Sequence, residues 1–195
     1  RPADVHFHKG DVVLLGGSGH YSAAGEGEWL ERSLEVLREV HARRQPTFAS
    51  CWGFQAMARA MGGRVVHDAS RAEIGTHTLR LTPAGQDDPV FSPLGQTFSG
   101  QMGHEDCVVE LPPGALLLAS TDKVTNQAYR FHDAPIYCTQ FHPELNRSDL
   151  LLRLEAYPEY VAHLTGMSAA DFAASLRDTP ETEALLPRFV RHVLS

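Results

Sequence analysis

The sequence has almost no lysine: of its 17 basic residues all but Lys9 and Lys123 are arginine, and 24 acidic side chains leave a formal net charge of -7. So acidic a chain has no general phosphate-neutralising surface, and no nucleic-acid partner is expected. Long apolar runs are missing too. Gly114-Ala115-Leu116-Leu117-Leu118-Ala119 falls far short of the ~18 residues of a membrane span, so no membrane partner is expected. Cysteine is scarce and odd in number, at positions 51, 107 and 138 with no close pairing. That excludes a disulfide framework and implies free thiols in a reducing, cytoplasmic setting. His-Glu-x-x-His and Cys-x-x-Cys are both absent, and His6-x-His8 lies near the terminus, so neither a metal nor another cofactor is expected.

What is present is ordinary globular material, 43% hydrophobic and 21% charged over 195 residues, without repeats, low-complexity tracts or linkers. One domain over residues 1–195 is the expectation. Residue 1 is Arg and no signal-peptide pattern follows it, which reads as a processed or trimmed product. Asp11 to Leu15 predicts a strand stopped by Gly16-Gly17-Ser18-Gly19. An amphipathic helix is predicted from Glu26 to Arg44, with Trp29, Leu30, Leu34 and Leu37 as its packing stripe. Thr47 to Ser50 then predicts a strand, and Phe54 to Met61 a helix closed by Gly62-Gly63. This alternation belongs to an α/β domain with a parallel sheet. Runs over 73–81, 107–111, 115–120, 126–131 and 135–141 read as further strands. Helices return from Arg147, with a capping box at Ser168 and Asp171 and a last helix opened by Thr179-Pro180.

Ala49-Ser50-Cys51-Trp52-Gly53-Phe54-Gln55 carries the clearest chemical signal. A nucleophile on a sharp strand-to-helix turn needs small residues two positions before and after it, and Ala49 and Gly53 stand there. The helix N-terminus beyond would favour a thiolate. A buried cysteine at a strand end fits the same residues, and both readings stay open on this segment alone. In Gln140-Phe141-His142-Pro143-Glu144, Pro143 disfavours a helical conformation at His142, and in an extended chain His142 and Glu144 face the same way. A carboxylate can then orient an imidazole that serves the thiol, although a surface His–Glu pair has the same spacing. Gly16-Gly17 lacks the Gly-Lys-Ser/Thr of a phosphate loop but suits the close backbone approach of an oxyanion hole.

Together and in this order, these three segments resemble the class I (triad) glutamine amidotransferase family, whose elbow is usually Gly-x-Cys-x-Gly-x-Gln and whose triad ends in His-Pro-Glu. The resemblance runs from about Asp11 to Leu145. Gln101-Met102-Gly103-His104-Glu105-Asp106, followed by Leu111-Pro112-Pro113-Gly114, is similar to the Met-Ser-His-Gly-Asp segment of GMP synthetase glutaminase domains, and Glu73-Ile74-Gly75 and Asp88-Pro89-Val90-Phe91 resemble stand-alone proteins related to that glutaminase. The implied fold is flavodoxin-like, a mostly parallel sheet flanked by helices with added antiparallel strands. The family opens with a further strand and helix ahead of the first glycine loop, whereas only fifteen residues precede Gly16 here.

The resemblance implies Cys51 as nucleophile, His142 as general base and acid, and Glu144 as its orienting residue. It implies backbone N–H groups of Trp52 and Gly17, or its neighbour Gly16, as the oxyanion hole. Gln55, Gln101, Met102, Gly103 and His104, with Gly16, would meet the substrate. The implied reaction releases ammonia from glutamine for a separate synthase. A γ-glutamyl hydrolase acting on an amine or peptide conjugate is the enzyme alternative, and a catalytically weak regulatory subunit is the non-enzyme one.

Overall fold

The computed structural model describes residues 6–8, 10–156 and 158–195, and of residues 158–160 the backbone alone. The chain runs β1 (Val13–Leu15), α1 (Glu28–Ala42), β2 (Thr47–Ser50), α2 (Trp52–Ala60), β3 (Arg64–His67), β4 (Glu73–Leu81), α3 (Pro83–Asp87), β5 (Thr97–His104), β6 (Asp106–Glu110), β7 (Ala115–Ser120), β8 (Ala128–Phe131) and β9 (Ile136–Thr139). Five helices follow, α4 (Arg147–Glu155), α5 (Pro158–Thr165), α6 (Ala169–Ser175), α7 (Pro180–Glu183) and α8 (Leu185–Leu194).

Seven strands form one sheet in the order β1-β2-β9-β8-β7-β4-β5, and β3 pairs with β6 in a separate ribbon. Pairing is parallel from β1 to β2 and from β2 to β9. Every pairing beyond β9 is antiparallel, so the α/β fold carries its added strands on one side. Among the described residues β1 and β5 are the edge strands, and Leu14 of β1 is exposed.

β2 and β9 are buried throughout because both of their faces are covered. On one face Ala49, Ile136 and Cys138 pack with Leu30, Leu34, Leu37 and Val40 of α1 and with Phe54 and Met57 of α2. On the other, Phe48 and Tyr137 pack with Phe141 and with Leu185 and Phe189 of α8. The alternation of neighbouring residues between these two cores is the period of two that a strand imposes.

Several sequence expectations are corrected here. Trp29 leaves the packing stripe of α1: it is 46% exposed and stacks on Tyr21 at 4.1 Å between ring centroids. Arg64–His67 and Thr97–His104 are strands that the sequence reading did not anticipate. At Ser168 the side chain caps Asp171 N–H, but the Asp171 carboxylate accepts from the Ser168 hydroxyl rather than closing a box. The two-way capping box belongs to Asn146 and Asp149 at the start of α4. The predicted last helix is two, α7 and α8, meeting at Ala184.

One buried charge locks the far side of the sheet. The Asp88 carboxylate, with no side-chain exposure, lies 2.7 Å from Arg130 Nε and accepts from Tyr137 Oη and from the N–H groups of Val90 and Phe91. Burial, and then the Asp88 charge, hold the Tyr137 phenol well above its usual range. Asp88→Ala strands the arginine and those donors and is expected to lower stability by ~3–5 kcal/mol, read as an earlier urea midpoint at unchanged slope.

Candidate active site

The turn from β2 into α2 is the site's foundation. Cys51 adopts φ 52° and ψ -106°, a left-handed conformation that a non-glycine residue holds only when its surroundings enforce it. Its N–H donates to Thr139 O at 2.8 Å, so β9 fixes the residue from the C-terminal end of the parallel strands. Gly53 lets the turn pass under β1: a Cβ there would stand 2.8 Å from Leu15 Cβ and 3.0 Å from Leu15 O. Ala49 is fully buried, and its methyl fits because Gly53 opposite has no side chain.

His142 and Glu144 arrive from the segment after β9. His142 N–H donates to Gln101 O at 2.9 Å, which ties it to β5. Its Nδ1 lies 2.6 Å from Glu144 Oε1, and Ser50 Oγ donates to the same oxygen at 3.3 Å. Ser50 is thus a supporting residue that sequence reasoning missed; its only signal is its place beside the nucleophile. A Cβ on Gly17 would stand 2.9 Å from His142 Cε1 and 3.3 Å from Cys51 Cβ, so cysteine, histidine and the early glycine loop meet at one point. Gly16, by contrast, has open space around it.

Electrostatics follow from this packing. Burial alone would depress the His142 imidazolium, but the Cys51 sulfur first and Glu144 second overrule it and push its pKa up to about 9. Burial likewise works to raise the Glu144 carboxyl, yet its bond to His142 brings it below the usual value.

A cavity of about 330 Å³ opens beside the sulfur, bordered by Cys51, Gln55, Gly103, Asp106, His142 and Arg153 among others. Gln55 Nε2 donates to Asp106 O at 2.9 Å and to Gln140 Oε1 at 3.1 Å, which uses both amide hydrogens and leaves its carbonyl for a ligand. Gly103 O lies 3.8 Å from Cys51 Sγ.

The stretch 101–104 divides. Gly103 and His104 border the cavity, but Gln101 and Met102 do not. The Gln101 side chain is engaged with Thr76 Oγ1, Arg177 O and Thr179 Oγ1, and Met102 lies fully buried in the core. Those two side chains therefore do not border the cavity: Gln101 is held away by its hydrogen bonds and Met102 by core packing. The His104 ring is buried between Asp106 O at 3.1 Å and the Glu73 carboxylate at 3.2 Å, a structural pair. The Trp52 indole packs tilted against Trp29, at 5.3 Å between ring centroids.

Asp106 was also missed as a site residue. Its Oδ2 accepts from Ser22 Oγ at 2.6 Å and from Ala23 N–H at 3.1 Å, and its Oδ1 lies 2.9 Å from His67 Nδ1. Arg59 Nη1 holds the same loop by its carbonyls, at 2.7 Å from Ala23 O and 2.6 Å from Gly25 O. The described residues contain no group of three side chains placed to hold a metal ion, and no described helix is long and apolar enough to cross a membrane.

A cysteine on a strained elbow, a histidine against its sulfur side and a glutamate behind that histidine define a Cys–His–Glu constellation at the edge of a cavity. The family model of glutamine amidotransferase class-I matches residues 4–150, and the chain belongs to that family. A glutamine-hydrolysing GMP synthase subunit of Methanopyrus kandleri is 31% identical over 74% of this chain and 71% of its own length. A GMP synthase of Flavobacterium psychrophilum is 32% identical over 75% of this chain but only 27% of its own length. Gamma-glutamyl peptidase 3 of Arabidopsis thaliana is 26% identical over 93% of this chain and 71% of its own. In fold, a glutamine amidotransferase from Thermotoga maritima superposes with a TM-score of 0.76 at 21% identity, covering 94% of this chain and 77% of that one.

Two measurements test this geometry. Gly17→Ala places a methyl against His142 Cε1 and is expected to cut turnover at least ~100-fold while the urea midpoint moves little. In Cys51→Ala the foremost influence raising His142 is gone while burial still lowers it, so its NMR titration should fall from about 9.

Proposed function

We propose that the protein hydrolyses the side-chain amide of glutamine and delivers ammonia to a separate synthase. The observation that carries this reading is the meeting of Cys51, His142 and Glu144 at one corner of a cavity in a class I chain.

The Cys51 thiolate attacks the amide carbonyl, and the oxyanion is received by backbone N–H groups of Trp52 and Gly17. Gly17 is favoured over Gly16 for this role because it alone is packed against Cys51 and His142. His142, oriented by Glu144, gives its proton to the departing nitrogen and then takes one from the water that opens the γ-glutamyl thioester. The free carbonyl of Gln55 and the carbonyl of Gly103 are acceptors suited to the substrate's ammonium group. The relative in Methanopyrus kandleri, one subunit of a GMP synthase, supports the view that ammonia is consumed by another polypeptide.

A second reading, hydrolysis of a γ-glutamyl amine or peptide by the same three residues, draws support from the gamma-glutamyl peptidase relative, which extends over 93% of this chain.

The test is mass spectrometry after exposure to an electrophilic glutamine analogue near pH 8. Burial pushes the Cys107 and Cys138 thiols up to about 12, so they stay protonated and unreactive there. The expected outcome is one adduct, on Cys51, prevented by free glutamine and absent in Cys51→Ala, which should also lose ~10³-fold or more of any glutaminase turnover. Equal labelling of all three thiols, indifferent to glutamine, would overturn the proposal.

A further inference from the structure

The cavity beside the sulfur has the size and lining of a small-molecule site. Its volume of about 330 Å³ lies within the ~300–1,000 Å³ of pockets that enclose whole small molecules. Its two sides differ in chemistry. Gln55, Gly103, Glu105 and Asp106 make one side acceptor-rich and acidic. The other is helix α4, which presents Leu150, Arg153 and Leu154 from a single face, as positions three and four apart must. Asn146 and Asp149 cap that helix, and buried Leu150 and Leu154 dock it against Ile74, Val161 and Phe172, so the direction of its inner face is set.

Arg153 is the one arginine or lysine among the described residues that line the cavity. Its Nη2 lies 3.4 Å from the point where a Cβ on Gly17 would stand, the same point that lies 2.9 Å from His142 Cε1. The guanidinium and the imidazole therefore flank one corner. The imidazole must face the departing nitrogen in order to protonate it, so a substituent on that nitrogen lies within reach of the Arg153 guanidinium. A planar guanidinium at that place is matched in shape and charge to a carboxylate.

We propose that Arg153 binds a carboxylate on the leaving group, and that the substrates include γ-glutamyl amides whose amine half is an amino acid or short peptide. The proposal rests on the reading of Cys51, His142 and Glu144 as a γ-glutamyl amide hydrolase. In the step it invokes, the Cys51 sulfur–carbon bond forms and the amide C–N bond breaks. The amine leaves with the His142 proton and its own carboxylate, and water then cleaves the thioester to glutamate.

The experiment compares γ-glutamylglycine with γ-glutamylethylamide, which share the acyl half and differ in the leaving-group carboxylate. Glutamate release gives kcat/KM for each with the unaltered protein, Arg153→Gln and Arg153→Lys. The expected ratio favours γ-glutamylglycine by tenfold or more in the unaltered protein, falls close to one in Arg153→Gln through KM, and is partly kept in Arg153→Lys. A ratio near one in the unaltered protein overturns the proposal. So does a ratio that Arg153→Gln leaves unchanged, including a uniform loss on both substrates, which would assign Arg153 to the glutamyl half. Failure of the underlying reading looks different: no glutamate from either substrate or from glutamine, and no adduct on Cys51, would overturn both together.

Discussion

Everything at the site depends on how closely α2 can start beneath β1. The backbone at Gly53 runs so near Leu15 that a single added carbon would stand 2.8 Å from its Cβ. Because nothing stands there, β2 can reverse abruptly at Cys51 and leave the sulfur at the C-terminal edge of the parallel strands. The left-handed conformation of Cys51 is the local cost of that reversal. It is held by Thr139 O, which accepts from the N–H of Cys51 itself, and by the helix that begins at the next residue. The elbow is thus a property of three packed strands and a helix together, and no short peptide of the same sequence would keep it.

Two histidine–carboxylate pairs show how position decides role. His142 and His104 are both buried and both in hydrogen-bonding distance of a carboxylate, but Glu73 is buried with its histidine whereas Glu144 keeps a third of its side chain exposed. His104 has each ring nitrogen set against an acceptor, one of them the carbonyl of Asp106, so nothing remains for a ligand. His142 has only Nδ1 engaged by a carboxylate, and the rest of its ring turns to the nucleophile and the cavity. Proton transfer needs a nitrogen left over, and only one of the two rings has it.

The elbow and the His-Pro-Glu turn were legible in the sequence because their constraints are local: small residues around a nucleophile, a proline that keeps a backbone extended. The α/β rhythm of the first sixty residues was legible for the same reason, since its periodicities switch cleanly at glycines and Pro46. That Gln101 and Met102 stand away from the cavity was not legible, because motif similarity carries no information on which side chains the fold seals inside, and β5 itself went unrecognised. Trp29 misled because its apolar side chain continued a helical stripe although its partner, Tyr21, lies in a loop outside the core. Asp106 and Arg153 could not be placed at all. Each reaches the cavity from an element whose approach is decided by tertiary packing, β6 against β3 and α4 against the cluster around Ile74.

The loop between Gly16 and Gly27 is gripped at its far end from both electrical sides, the N–H of Ala23 by the Asp106 carboxylate and the carbonyls of Ala23 and Gly25 by the Arg59 guanidinium. The end so held has spent its conformational freedom at the moment of folding. A molecule arriving at the sulfur therefore pays no ordering entropy for that part of the wall.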